Sequence, residues 1–115
     1  MSRSNEERIQ DILEAAAKVQ EIAEAGEQAY RAGWMRRTAA ERLMQVIGEA
    51  ASKLSPEAQD RYPDVPWQAL RGFRNFVVHE YHKVDHQLVW NAMVADVPSL
   101  IRALAAGQAD LSRDD

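Results

Sequence analysis

Apolar residues recur at every third or fourth position along most of this sequence, and that helical period constrains the fold more than any other feature. It is present in four stretches, at about residues 5–25, 39–54, 67–82 and 85–106. No stretch shows the strict alternation of apolar and polar residues that marks a half-buried strand. Amphipathic helices bury their apolar faces against one another. The sequence therefore predicts an all-α fold, an antiparallel bundle of four long helices with a short connecting turn.

Capping signals indicate where the first two helices begin. Ser4 followed by Glu7 is a capping-box pattern, in which each side chain accepts a hydrogen bond from the backbone N–H of the other residue. Thr38 and Glu41 repeat this pattern before the second stretch. We therefore expect the second helix to begin near residue 39 and residues 27–37 to form a loop or a frayed helix end.

Prolines and one aspartate mark the later connections. Ser55 followed by Pro56 is typical of an N-cap and the first residue of a short helical turn. The two prolines in residues 62–66 predict an extended connection, because each disfavours the helical region for its predecessor. Asp85 is a good N-cap for the last helix. Pro98 lies inside that helix and is expected to kink or break it near residue 97.

The composition fits a single domain. A chain of 115 residues, 46% of them apolar, can bury one hydrophobic core but not two. We expect residues 1–109 to form this domain, with the last helix ending before Gly107, and the charged residues 110–115 to form a disordered tail. No apolar run approaches the roughly 20 residues of a membrane helix, and the first ten residues lack the apolar stretch of a secretion signal. A cytoplasmic protein with no membrane partner is therefore expected.

Metal and thiol chemistry have little support in the sequence. Cysteine is absent, which excludes disulfides, thiol catalysis and Cys-based zinc sites. His82 and His86 are four positions apart and could share a metal only if one helical turn carried both. Because the chain is expected to break near residues 83–84, we predict no metal site and no cofactor.

The net charge of −4 is unevenly distributed. Residues 1–30 carry three basic and seven acidic side chains, whereas residues 31–83 carry nine basic and six acidic ones. The middle of the chain could therefore meet an anion, whereas the first helix could not. A solvated surface with no anionic partner is the alternative explanation of the same distribution.

A helical wheel of residues 67–82 separates two faces at about 100° per residue. The face expected to point into the core carries Leu70, Phe73, Val77 and Tyr81. The opposite flank carries Arg71, Asn75, His79 and His82, with Arg74 at its border. Phe76 and Val78 lie beside this polar flank, away from the core face, which predicts that the flank meets a second surface.

The polar flank carries the types of side chain that RNA cleavage without a metal would require. That reaction needs a base for the 2′-hydroxyl proton, an acid for the leaving oxygen and a cation for the charge on phosphorus. Histidine can act as acid or base near neutral pH, and the donors of arginine match phosphate oxygens. The alternative is structural: Arg74 pairs with a carboxylate such as Glu49, and His79 only forms a surface hydrogen bond.

Short segments on both sides of this helix resemble a known family. They are 47–50 (IGEA), 62–67 (YPDVPW), the motif Arg74-Asn75-x-x-x-His79-x-Tyr81, 84–85 (VD) and 89–90 (VW). Over roughly residues 38–105 this pattern is similar to that of the HepT-like proteins of the HEPN superfamily. The Arg-Asn-x-x-x-His core is shared by many HEPN proteins, and the added x-Tyr is characteristic of the HepT branch.

The resemblance implies a fold, an activity and a partner. HepT-like proteins are helical bundles that dimerise with their motif helices facing each other, and they cleave RNA as toxins of toxin–antitoxin pairs. By this resemblance Arg74 and His79 are the catalytic pair, and Asn75 is the polar residue that often follows the arginine. Tyr81 matches the tyrosine to which the antitoxin, a nucleotidyltransferase of the MntA type, attaches AMP. Arg71 shares the polar flank and is expected to support the pair.

The sequence thus predicts a metal-independent endoribonuclease toxin that acts as a homodimer on RNA. One subunit has a single motif histidine, so two subunits would supply one for each end of the proton transfer. The alternatives are a non-catalytic helical adaptor and a substrate-positioning partner of a nucleotidyltransferase.

Overall fold

The computed structural model describes residues 3–76 and 85–113, and helices account for most of these residues. The elements are, in order, α1 (Asn5–Glu24), α2 (Glu27–Ala32), α3 (Trp34–Lys53), α4 (Pro56–Asp60), α5 (Trp67–Gly72), a 3₁₀ helix (Phe73–Phe76) and α6 (His86–Arg113). No strand occurs in these two ranges. The long helices α1, α3 and α6 pack together, and α5 and the 3₁₀ helix pack on α3. The all-α prediction is confirmed.

The predicted capping box at the start of α1 is also confirmed. Ser4 Oγ accepts a hydrogen bond from the Glu7 N–H at 3.1 Å, and the Glu7 carboxylate accepts one from the Ser4 N–H at 3.0 Å. The bond from the Ser4 backbone holds the pKa of Glu7 below its usual value. At the other end of α1, Gly26 has a φ of 95°, a left-handed conformation that glycine adopts without strain.

The prediction of a loop over residues 27–37 is wrong. Residues 27–32 form α2, and α3 begins at Trp34, four residues before Thr38. Gly33 is the junction, because it caps both the end of α2 and the beginning of α3. Inside α3, the Arg37 N–H already donates to the Gly33 carbonyl at 3.1 Å. The backbone at Thr38 therefore needs no side-chain cap.

The core lies where α1, α3 and α6 meet, and α2 and the 3₁₀ helix each add one large side chain to it, whereas α5 adds two. The largest fully buried side chains are Ile12, Val19, Tyr30, Met44, Ile47, Leu70, Phe73, Val89, Met93, Val97, Leu100 and Leu104. Burying a side chain of this size stabilises a fold by about 1.5–3 kcal/mol relative to leaving it in water. The described beginning of the motif segment, residues 67–76, is therefore held on the core by packing.

The last helix begins as predicted but does not break where predicted. Asp85 Oδ1 accepts a hydrogen bond from the Leu88 N–H at 3.1 Å, which is the expected N-cap. The helix then runs through Pro98. A proline inside a helix costs about 3 kcal/mol or more. Val97 and Leu100, on either side of it, are fully buried, and together they offset that cost at about 1.5–3 kcal/mol each.

The predicted end of α6 before Gly107 is wrong as well. A Cβ at this position would overlap the ring of Tyr62, so Gly107 makes room for that ring inside a continuing helix. Residues 110–113, which the sequence assigns to a disordered tail, are helical. A charged composition alone does not end a helix, and this segment contains no proline or glycine that would.

The length and apolar composition of α6 would also suit a membrane-crossing helix. Buried helices of bundles meet the same criteria. Val89, Met93 and Leu104 of α6 are fully buried, and the helix packs on α1 and α3. We therefore assign its apolar face to the core of this bundle.

Candidate active site

Trp67 determines where the motif segment begins. Its indole Nε1 donates to the carbonyl oxygens of Gln59 and Tyr62, both at 3.1 Å, and the side chain is buried. The Trp67 N–H also donates to the Val65 carbonyl at 2.8 Å. Before it, residues 63–64 form a turn closed by a hydrogen bond from the Val65 N–H to the Tyr62 carbonyl at 3.1 Å, so the connection is a turn and not the extended segment that the two prolines predict. The hydrogen bonds of Trp67 then fix the beginning of α5.

The segment has a buried side and an exposed side, as the helical wheel predicts. Leu70 and Phe73 are buried, whereas Arg71, Arg74 and Asn75 are exposed. The backbone is not one uninterrupted α-helix, because it tightens to a 3₁₀ helix at Phe73. A 3₁₀ helix has 3.0 residues per turn, so each residue advances about 20° further than an α-helical wheel assumes.

Gly48 of α3 allows the motif segment to approach very closely. It is buried, and a Cβ at this position would lie 2.9 Å from both the Leu70 carbonyl oxygen and the Arg74 amide nitrogen. Backbone atoms cannot shift as the end of a flexible side chain can. The interior glycine therefore permits close packing, and the backbone of Arg74 lies directly on α3.

The side chain of Arg74 is held lightly. Its Nη1 donates to Ser52 Oγ at 3.4 Å, a long hydrogen bond, and Ser52 Oγ itself donates to the Gly48 carbonyl at 2.9 Å. Across residues 3–76 and 85–113, no carboxylate forms an ion pair with Arg74, so the suggested pair with Glu49 is not formed. The guanidinium therefore keeps most of its donors available for an anion.

Arg71 is oriented by an amide side chain instead. Its Nη1 donates to Gln59 Oε1 at 3.2 Å. Gln59 Nε2 donates in turn to the carbonyls of Ala51 and Leu54, at 3.3 and 3.2 Å. Arg71 and Arg74 are thus both anchored to the C-terminal turn of α3, which the structure brings together with the motif. Asn75 lies in the 3₁₀ helix with its side chain exposed.

Other predicted residues fall on a stretch for which the structure gives no description. His79 and Tyr81, the second catalytic residue and the modification site, are among residues 77–84. So are Val78, which is part of the expected second surface, and His82, so the prediction that His82 and His86 form no metal site is not tested by the described residues. These assignments stay predictions from the sequence.

A polar cluster that the sequence did not predict lies at the start of α6. His86 Nδ1 is 3.5 Å from Glu41 Oε1, and the ring of Tyr30 meets the imidazole edge-on with centroids 6.2 Å apart. Tyr30 is fully buried, and burial raises the pKa of its phenol to about 12. The cluster joins α2, α3 and α6. Residues 30, 41 and 86 are too far apart in sequence for any local pattern to associate them.

The described part of the site can bind an anion but carries no general base. Arg71 and Arg74 are exposed beside the C-terminal turn of α3, and the exposed amide of Asn75 follows Arg74 in the sequence. This arrangement suits a phosphate diester, since guanidinium groups form charge-assisted hydrogen bonds with its oxygens. Cleavage would need a titratable group in addition, and His79 is the residue that the sequence offers.

Comparisons with known proteins point in the same direction. A family model described as "Ribonuclease HepT-like" matches residues 12–106. A Methanocaldococcus jannaschii protein named "Putative RNase" is 33% identical over 91 residues, which cover 78% of this chain and 84% of the relative. A Thermococcus cleftensis protein named "Probable ribonuclease HepT" is 28% identical over 101 residues, covering 87% and 92%. No solved structure matches the chain.

Proposed function

Because this chain belongs to the ribonuclease HepT-like family, we propose that it is a metal-independent endoribonuclease, the toxin of a toxin–antitoxin pair, which cleaves RNA through Arg74 and His79. The observation that supports this most directly is the state of Arg74. Its backbone is seated on Gly48, and its guanidinium is exposed and carries only a long contact to Ser52. An arginine that served only to stabilise the fold would be expected to pair with a carboxylate.

In the proposed reaction, His79 of one subunit removes the proton from a ribose 2′-hydroxyl. The 2′-oxygen then attacks the adjacent phosphorus, and the bond from phosphorus to the 5′-oxygen breaks. His79 of the partner subunit donates a proton to that leaving oxygen. The products are a 2′,3′-cyclic phosphate and a free 5′-hydroxyl, so protons and bonds balance without added water or metal.

Arg74 stabilises the charge that develops on the phosphorus oxygens. Removing one preorganised donor of this kind typically lowers kcat about 10²–10³-fold. Asn75 and Arg71 have supporting roles: the amide orients His79 or binds phosphate, and Arg71 binds a neighbouring phosphate.

The test compares purified wild-type protein with Arg74→Ala and His79→Ala on a labelled RNA. Both variants should lose at least about 10²-fold in cleavage rate while keeping the wild-type circular dichroism spectrum, because both side chains lie off the predicted core face. Cleavage should persist in EDTA and leave a cyclic phosphate. Arg102→Ala is the matched control, because Arg102 is also exposed and contacts one serine, Ser99, at 3.3 Å. Full activity in His79→Ala, or loss of all activity in EDTA, would refute the mechanism.

Control of this activity is proposed to act at Tyr81. A cognate nucleotidyltransferase of the MntA type would transfer AMP from ATP to the phenol oxygen, releasing pyrophosphate. The added phosphate carries negative charge into the neighbourhood of Arg74, and the nucleoside occupies space that the RNA strand needs. The toxin would thereby be silenced without unfolding.

Intact-mass spectrometry after co-expression with a cognate nucleotidyltransferase of the MntA type tests this regulation. We expect one AMP on the wild-type chain, none on Tyr81→Phe, and loss of RNase activity only where AMP is attached. AMP located on another residue would leave Tyr81 as a packing residue. If the chain binds the nucleotidyltransferase but cleaves no RNA at all, it is instead the non-catalytic adaptor or substrate-positioning partner.

A further inference from the structure

A groove of about 470 Å³ runs along the surface between α1 and α3. Four cationic side chains line it, one from the residues before α1, one from α1 and two from α3, together with one carboxylate from each helix. They are Arg3, Arg8, Arg42, Lys53, Asp11 and Glu49. The net charge of −4 for the whole chain makes this local excess of cations notable.

The charges in the groove do not cancel. Asp11 is neutralised by Arg3, which donates to both of its oxygens at 2.7 Å. Glu49 has no ion-pair partner within the described residues. Arg8, Arg42 and Lys53 therefore face a single uncompensated carboxylate. The sequence-based expectation for the first helix used its net charge, which averages over all faces of the helix, whereas Arg8 places a cation on the face that lines the groove.

The groove and the candidate active site both contact the C-terminal turn of α3. Arg8, which lines the groove, donates from Nη1 to the Lys53 carbonyl at 3.3 Å. Arg74 of the motif contacts Ser52, the preceding residue. Cations of the groove and of the motif therefore contact adjacent residues of one helix turn.

The length of the groove suits a short stretch of single strand. Arg42 and Lys53 are 11 positions apart on α3, which corresponds to about 16 Å along a helix axis at 1.5 Å per residue. A stacked strand rises roughly 3.4 Å per nucleotide, so this distance spans about three to five nucleotides. A groove of this length and charge would contact several successive phosphates.

We propose that the α1–α3 groove binds the phosphates of the RNA strand on one side of the scissile bond, with Arg8, Arg42 and Lys53 as its contacts. This rests on the proposed ribonuclease function and adds the path that the substrate takes beyond Arg74. The groove contributes affinity and not chemistry. Substitutions in it therefore raise KM and leave kcat unchanged, whereas substitution of Arg74 lowers kcat.

Fluorescence anisotropy with a fluorescein-labelled, mixed-sequence single-stranded RNA tests the proposal. The background is His79→Ala, so that the RNA stays intact during binding. Each phosphate contact to a single strand contributes roughly 0.7 to the slope of log affinity against log salt. The double variant Arg42→Ala/Lys53→Ala should therefore bind more weakly and show a slope smaller by about 1.4. Arg102→Ala on α6 should change neither quantity.

One substitution should act in the opposite direction. Glu49→Gln removes the uncompensated carboxylate and should tighten RNA binding, an effect that damage to the fold does not produce. Wild-type affinity and salt slope in the double variant would overturn the groove proposal, even if Arg74 and His79 proved essential for cleavage. Conversely, RNA that is bound through the groove but never cleaved by the wild-type chain would refute the proposed ribonuclease and leave the groove in place.

Discussion

At the scale of single residues, Gly48 shows how local preference and packing oppose each other. Glycine inside a helix costs about 1 kcal/mol relative to alanine, so the helix alone would favour Gly48→Ala. A Cβ would however lie 2.9 Å from backbone atoms of Leu70 and Arg74. Relieving such an overlap typically costs 1–3 kcal/mol. The cost of this overlap is at least as large as the gain in helix propensity. The overlap also lies at Arg74, the residue proposed to bind the phosphate.

We therefore predict that Gly48→Ala lowers the free energy of unfolding by up to about 2 kcal/mol and lowers cleavage at temperatures where the variant is fully folded. Chemical denaturation and RNA cleavage assays measure the two effects. Gly72→Ala is the matched control, because a Cβ there meets no described atom within 4 Å and Gly72 does not have positive φ. It should be neutral or stabilising. A Gly48→Ala protein as stable and active as wild type would show that α3 and the motif segment separate without cost.

Residue-level features of the site divide into those that a sequence shows and those that it does not. The exposure of Arg71, Arg74 and Asn75 follows from helical period alone, and the structure agrees with it. The contact between Gly48 and the backbone of Arg74 does not follow from the helical period, because it joins residues of two different helices. The cationic groove was missed for the same reason.

At the scale of elements, two identical patterns had different outcomes. The Ser4 pattern forms its capping box, whereas Thr38 lies within α3. The difference is what precedes each of them. Gly33 is the N-cap of α3, which begins four residues before Thr38. Its carbonyl accepts the hydrogen bond from the Arg37 N–H. A capping pattern predicts the beginning of a helix only where the helix has not already begun at an earlier residue.

The other errors at this scale also arise where packing outweighs a local signal. Pro98 and Gly107 are both helix-breaking residues in isolation, yet α6 continues through each of them. Buried side chains flank Pro98, and the ring of Tyr62 fills the space beside Gly107. The order of the long helices needs only their apolar period and was predictable. The ends of helices depend on tertiary contacts and were not predictable from the sequence.

At the scale of the whole molecule, the proposed chemistry requires more than one chain. A single chain offers one motif histidine, and the reaction needs both a base and an acid. Arg71, Arg74 and Asn75 are exposed on the isolated chain, so their face remains accessible to a second copy. We predict a two-fold dimer in which both copies of residues 71–82 meet and which buries more than about 1,000 Å² in total.

Mixing experiments distinguish a shared site from two independent ones. If each site needs both histidines, a dimer of one wild-type and one His79→Ala chain is inactive. An equal, fully exchanged mixture of the two chains should then retain about one quarter of the wild-type activity, whereas independent subunits would retain about one half. Mixing with Arg102→Ala controls for dilution and exchange and should cause no loss. Light scattering at tens of micromolar measures the assembly itself. A monomer at that concentration, or activity that stays at one half, would mean that one chain carries out the whole reaction and that a second proton donor must be sought within it.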